Sequence, residues 1–219
     1  MQQLQILSKN QLNYQEVNNH SESTHTLMAT MDQAIQVINS GGLIIYPTET
    51  TYGLGVNALD EGAVQKLFKA KQRKLTKPIS IAFPTIKSAS KHVELTEKTR
   101  SFANKFLPGP VTILCKPTTE HLLKLSNKNG KIGVRIPQNK VALNLLNSVS
   151  PLTATSANIS GKPSPCNLMD LDKNLLFYVS AILDGGTTPG GHSTVVDIDE
   201  NLVIRKGSKY GEIISWMNN

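Results

Sequence analysis

The sequence predicts an α/β domain, its sheet parallel or mixed parallel/antiparallel, and three observations carry that expectation. Short apolar runs bounded by Gly and Pro alternate with segments whose apolar residues recur every three or four positions, the patterns of buried strands and amphipathic helices. The connections between them vary in length, so a purely parallel doubly wound sheet is not required. A chain of 219 residues with 39% apolar content buries a core without disulfide or metal staples.

Residues 1–27 are rich in Gln, Asn, Ser and His and read as a polar tail ahead of one domain over 28–219. Met28, Met31, Ile35 and Ile38 recur at helical spacing until Gly41 and Gly42 stop the run. The apolar stretch 43–46 then reads as a buried strand opening into a loop over 47–51. Asp60 caps a helix through Phe68, 79–83 is a strand, and Thr96 caps a helix toward Phe106 that Pro108, Gly109 and Pro110 break. Strands are expected at 111–116, 132–136, 176–183 and 194–198, and helices at 141–146 and from Tyr210 onward.

Lys and Arg total 23 against 16 Asp and Glu, a net charge of +7 that points to an anionic partner: nucleotide, nucleic acid or acidic metabolite. Cys115 and Cys166 form no CxxC pair, which fits a reducing compartment and makes the cytoplasm the expected address. The start of the chain lacks the pattern of a secretory or mitochondrial presequence. The uncharged stretch 141–161 is broken by Asn, Ser, Thr and Pro, so no spanning helix and no membrane association are expected.

Three polar segments follow apolar runs, where ligands of open α/β sheets sit. The first, 47–55, offers the hydroxyls of Thr48, Thr50, Thr51 and Tyr52, with Gly53 and Gly55 permitting close approach. Its GxGxxA match over 53–58 lies too far beyond the strand for a dinucleotide fingerprint. The second, 69–74, is basic and follows a helix C-terminus. The third, 153–164, holds five hydroxyl side chains and the Asn158 amide, a set able to cradle phosphate oxygens without a P-loop. A Gly-rich loop over 184–194 contains His192, read as a loop residue rather than a base. Arginine is scarce: Arg73, Arg100, Arg135 and Arg205 are the only four, and three lie beside these segments, suiting them to bidentate anion capture. GxSxG, HExxH and GxxxxGK[ST] are absent, and the five histidines lack ligand spacing. Positioning and charge stabilisation of a phosphoryl group, that is, nucleotide chemistry, fits this inventory best.

The ordered set GGLIIY (41–46), PTETTYGLG (47–55), KQR (71–73), PGPVT (108–112), VRIP (134–137), SAN (156–158) and STVVD (193–197) resembles the YrdC-like threonylcarbamoyl-AMP synthases over residues 28–207. The resemblance implies a twisted α/β fold with a mostly mixed parallel/antiparallel sheet, flanking helices and a basic concave face, in the short form without a further C-terminal domain. It implies that ATP, L-threonine and bicarbonate become L-threonylcarbamoyladenylate and pyrophosphate, with Mg²⁺ assisting. The product would serve N6-threonylcarbamoyladenosine formation at tRNA position 37 through a downstream transferase complex, with tRNA itself a further partner. By the same resemblance Lys71, Arg73, Ser156 and Asn158 form a signature catalytic tetrad. Lys71, Arg73, Lys131, Ser156, Ser164 and Arg205 would face the nucleotide, and Thr48, Arg135, Ala154 and Thr194 would face threonine. Lys74 stands where many relatives have Pro, and Ala82 where longer relatives carry His. Two alternatives stay open: a structured-RNA-binding module without ATP turnover, and carbamoyl transfer to another acceptor.

Overall fold

The computed structural model describes residues 27–149 and 151–218, so the tail expected over 1–27 lies outside the described residues up to position 26. The sequence-ordered elements are β1 (Leu27–Met28), α1 (Met31–Asn39), β2 (Leu43–Tyr46), β3 (Gly53–Gly55), α2 (Glu61–Ala70), β4 (Ser80–Ala82), α3 (Ile86–Ala89), α4 (Glu97–Phe106) and β5 (Val111–Cys115). They continue with α5 (Glu120–Leu123), β6 (Ile132–Arg135), α6 (Lys140–Val149), β7 (Leu152–Ser156), α7 (Lys173–Leu176), β8 (Val179–Ile182), β9 (Thr194–Asp197), β10 (Leu202–Arg205) and α8 (Tyr210–Met217).

The strands form one ten-stranded sheet in the order β1-β8-β2-β3-β7-β4-β6-β5-β9-β10. Pairing is parallel at β1–β8, β8–β2, β4–β6 and β5–β9 and antiparallel at the other junctions, the mixed sheet expected. The helix starts are encoded locally. Thr30 and Gln33 form a reciprocal capping box on α1, Asp60 Oδ1 accepts from the Ala63 N–H on α2, and Thr96 Oγ1 accepts from the Thr99 N–H on α4.

Helices cover both faces of the sheet. One face packs Leu43, Ile45, Ile81, Ile113 and Val134 against α2, α4 and α8 through Leu67, Phe102 and Ile213. The other packs Ile44, Tyr46, Ala82 and Leu152 against α1 and α6 through Ile38, Leu145 and Leu146. The alternation along β2, every residue of which is buried, is that of a central strand clad on both sides.

Four expectations are corrected. Helix α1 begins at Met31, because Met28 pairs with Ile182 in β1 instead. Residues 53–55 and 152–156 are strands, not loops; β7 is the strand through which the two halves of the sheet meet. Glycine hides β3: a Cβ at Gly55 would lie 2.8 Å from Tyr46 Cε1, so the face against that ring admits no side chain. Threonine hides β7, although its β-branch suits a strand and Thr153 Oγ1 accepts from the Val56 N–H. Of the stretch 176–183, only Val179–Ile182 is strand, since Leu176 ends α7. Strand β10, at the sheet edge, was not anticipated at all.

Cys115 is buried in the first core, and that burial, followed by the nearby Asp199 and Asp197, pushes its thiol up to about 12. Native protein treated with iodoacetamide at pH 8 is therefore expected to gain an adduct at the half-buried Cys166 and none at Cys115, read by intact mass and peptide mapping.

Candidate active site

Beyond the edge of α1 and α6, the face they cover continues uncovered across β4, β6, β5 and β9. Its side chains there are mostly small or polar, Ser80 and Ala82 on β4, Gly133 on β6, Thr112 on β5 and Val195 on β9, with Leu114 on β5 the large apolar exception. A cleft of about 390 Å³ opens over them, walled also by Tyr46, Thr48, Thr50, Ala154, Ser156, Gly191, His192 and Ser193. Among the described residues its lining includes Arg73, Arg135 and Arg205 and no Asp or Glu. Gly133 sets the depth of the floor, since a Cβ would lie 2.4 Å from Ser80 Oγ and 2.7 Å from Thr112 Cγ2.

Each arginine is delivered by a different local device. Helix α2 ends with Gln72 at φ 49°, and the Arg73 N–H returns to the Phe68 carbonyl at 2.9 Å, a left-handed termination that turns Arg73 out toward the cleft. Its Nη2 donates to the Pro78 carbonyl at 2.8 Å, while its buried Nε has no partner among the described residues. Arg135 ends β6, where Nη2 donates to Glu49 Oε1 at 3.0 Å and to Thr50 Oγ1 at 2.8 Å. Arg205 owes its direction to a bulge. Leu202 and Val203 pair with Asp197 and Val196, but Arg205 pairs with Val195, so the extra residue Ile204 turns Arg205 onto the face that Val195 presents to the cleft. Its Nε and Nη2 donate to the Ser193 carbonyl at 3.1 and 3.0 Å. Burial disfavours the charge of Arg73, and burial followed by the charge of Arg135 disfavours that of Arg205; both pKa values fall. Guanidiniums remain charged regardless, so these are cations short of counter-charge.

Lys71 lies behind the wall. Its side chain is 1% exposed, and Nζ donates to the Ser156 carbonyl at 2.5 Å, the Asn158 carbonyl at 2.7 Å and Asn158 Oδ1 at 3.5 Å. Burial, then the neighbouring Arg73, pushes its ammonium down to about 7. Asn158 organises the same turn: Oδ1 accepts from Ser156 Oγ, and Nδ2 donates to the Ile159 and Lys162 carbonyls. Lys71, Ser156 and Asn158 therefore form one hydrogen-bonded cluster that brings Ser156 to the cleft surface, while Arg73 lines the cleft without a hydrogen bond to the other three.

The remaining sequence-derived residues divide. Thr48, Arg135, Ala154 and Arg205 line the cleft; Lys131, Ser164 and Thr194 do not. Lys131 Nζ is spent on both oxygens of Asp197, at 2.8 and 2.7 Å. Burial opposes its charge, but Asp197 overcomes that and holds its pKa above the usual lysine range. Thr194 is fully buried, donating to the Ser208 carbonyl and accepting from the Gly207 N–H. Thr48 lines the cleft with a hydroxyl already saturated: it donates to the Thr51 carbonyl at 2.7 Å and accepts from the Thr50 N–H. Because its proton is committed, the 3.1 Å contact with Thr50 Oγ1 must run from Thr50 to Thr48. Tyr46, Asn127, Thr112, Gly133 and Val195 line the cleft without having been anticipated. Gly133 carried a local signal, as a glycine within an apolar strand-like run, while Tyr46, Thr112 and Val195 lay inside quoted motifs that assigned them no role.

A family model described as "Telomere recombination" (Sua5/YciO/YrdC) matches residues 36–207. The chain is 38% identical over 168 residues to the threonylcarbamoyl-AMP synthase of Pyrococcus abyssi, covering 74% of this chain and 49% of that protein. It is 36% identical over 170 residues to a putative threonylcarbamoyl-AMP synthase of Methanocaldococcus jannaschii, covering 76% and 79% respectively. Among solved structures, P. abyssi Sua5 complexed with L-threonine superposes with a TM-score of 0.76 at 33% identity, over 84% of this chain and 57% of that one. The chain thus spans about half the length of the P. abyssi relative. By the extent of that family match, the chain belongs to the Sua5/YciO/YrdC family.

Proposed function

We propose that the cleft makes L-threonylcarbamoyladenylate from L-threonine, bicarbonate and ATP. The observation that carries this reading is the convergence of Arg73, Arg135 and Arg205 on one cleft with no carboxylate in its lining among the described residues, in a chain similar to named threonylcarbamoyl-AMP synthases. A relative of known structure is complexed with L-threonine, which supports threonine as the amino acid.

The chemistry follows from bringing anions together. The threonine amine condenses with bicarbonate, losing water, to give an N-carboxylate. One carbamate oxygen then bonds to the α-phosphorus of ATP as the bond to the β-phosphate oxygen breaks, and pyrophosphate leaves with that electron pair. Both partners are negative, so the protein's task is to hold them in contact and to neutralise the charge that develops on the phosphates. Arg73 and Arg205 suit the phosphates, Arg135 suits the threonine carboxylate, and Ser156 lines the cleft with a hydroxyl whose proton goes to Asn158. Lys71 and Asn158 support that wall rather than touching the substrate.

Among the described residues no three His, Cys, Asp or Glu side chains cluster to hold a metal, and Glu49 is committed to Arg135 and the Gln138 N–H. The residues do not fit a resident Mg²⁺, which would instead arrive as the counter-ion of ATP. Use of the product in tRNA modification, with a downstream transferase, belongs to the same proposal. Among the described residues no helix is long and apolar enough to cross a membrane.

The test is pyrophosphate release from ATP with L-threonine and bicarbonate, each omitted in turn, and with L-serine as comparison. Release is expected only with both co-substrates present, and Arg73→Ala is expected to lower it about 100-fold. Release that ignores threonine, or an Arg73→Ala protein as active as the parent, overturns the reading.

A further inference from the structure

The three arginines are anchored from behind in unlike ways. Arg73 and Arg205 rest on neutral acceptors, the Pro78 carbonyl and the Ser193 carbonyl and hydroxyl, and form no ion pair among the described residues. Arg135 alone has a counter-ion: Glu49, whose side chain is 11% exposed and which lies outside the cleft lining. Glu49 is itself fixed, accepting from Arg135 through Oε1 and from the Gln138 N–H at 3.1 Å through Oε2. The second Nη2 hydrogen of Arg135 goes to Thr50, so Glu49 and Thr50 together lock the guanidinium plane.

We propose that Glu49 is a positioning and specificity-determining residue that sets Arg135 apart electrostatically from the other two arginines of the cleft. The Arg135–Glu49 pair carries no net charge and suits a zwitterionic amino acid, itself neutral overall. Arg73 and Arg205 remain uncompensated cations and suit a polyphosphate. Without Glu49 all three guanidiniums would attract phosphate, and the amino-acid position would be open to the nucleotide or to pyrophosphate. Glu49 also keeps the Arg135 plane fixed for a carboxylate approaching from the cleft. Its oxygens remain behind that guanidinium, so it acts on the substrate only through Arg135.

The proposal predicts that one substitution moves two ligands in opposite directions. In Glu49→Gln, which preserves the side chain's size, pyrophosphate is expected to bind about three- to tenfold more tightly, with a steeper salt dependence. L-threonine is expected to bind about tenfold more weakly, because the Arg135 plane is held by a weaker, neutral acceptor. The double variant Glu49→Gln/Arg135→Gln, which restores the local charge balance, is expected to return pyrophosphate affinity to the parent value. Isothermal titration of pyrophosphate and of L-threonine against the three proteins, with thermal unfolding alongside, reads all of these.

A merely structural Glu49 would weaken both ligands together and lower the unfolding temperature; that outcome, or unchanged affinity for both, overturns the proposal. The threonine arm rests on the function proposed above, whereas the pyrophosphate arm does not. If the parent protein binds pyrophosphate but no threonine, the functional reading fails and Glu49 is judged on pyrophosphate alone, by whether Glu49→Gln still tightens it.

Discussion

Lys71→Met is expected to unfold at markedly lower denaturant concentration than the parent, with a loss of about 2–4 kcal/mol, and to release no measurable pyrophosphate. Methionine matches the lysine stem in length but carries no donor. The Ser156 and Asn158 carbonyls, which share the Lys71 ammonium, would lose that buried hydrogen bond, and Asn158 Oδ1 would keep only Ser156 Oγ. The turn they belong to carries Ser156 into the cleft, so stability and activity fail together. The comparison has a pH signature. Burial holds the folded-state pKa at about 7, below the ordinary 10.5. Between those values the unfolded chain binds a proton that the native protein has released, so native stability rises with pH across the window. This contribution is complete above about 10.5 and is lost as pH falls to about 7, at a slope of at most about 1.4 kcal/mol per unit. Urea titrations of both proteins from pH 6.5 to 9.5 should therefore show a gap that widens toward the alkaline side. A constant gap would assign Lys71 the same charge throughout.

Gly207→Ala should be nearly as damaging, although it adds one methyl group. A Cβ there would lie 2.3 Å from the His192 carbonyl oxygen and 2.7 Å from the Ser193 carbonyl carbon and oxygen. These atoms are backbone and cannot swing aside, so the chain around 192–193 must move, at about 2–4 kcal/mol. The Ser193 carbonyl is the anchor of Arg205, so the displacement also reaches the cleft. Pyrophosphate release at a temperature where the variant is fully folded should fall at least about tenfold. Gly211→Ala is the matched control: it lies in α8 with nothing within 4 Å of the added carbon and should raise stability by about 0.5–1 kcal/mol. Equal behaviour of the two variants would show that the 192–193 backbone yields freely.

Whether an element was legible in the sequence depended on where its information resides. Helices α2 and α4 were readable because Asp60 and Thr96 cap them within one turn, a local signal. Strands β2, β5 and β6 were readable because one face or both must be apolar to meet the helices. Strands β3 and β7 looked like polar loops because their composition answers to partners outside the strand itself: glycine to admit the ring of Tyr46 on the neighbouring strand, threonine to meet Val56, 97 positions away. The same division holds in the cleft. Sparse arginines beside strand ends pointed to Arg73, Arg135 and Arg205, but nothing local announces the bulge at Ile204 that aims the last of them. Resemblance brought in Lys131 and Thr194, whose side chains are engaged by Asp197 and Ser208, contacts that only the folded chain makes.

The cleft draws its walls from Tyr46 near one end of the domain to Arg205 near the other. Gly53 must find Ser156, and Val111 must find Thr194, before its floor exists. Such high contact order makes folding slow and leaves the emerging chain without a cleft until β10 has cleared the ribosome. A nascent chain halted before β9 would display the bare edge of β5, an exposed template for strand addition. For this fold, competence to bind anions and protection from aggregation arrive in the same late step of synthesis.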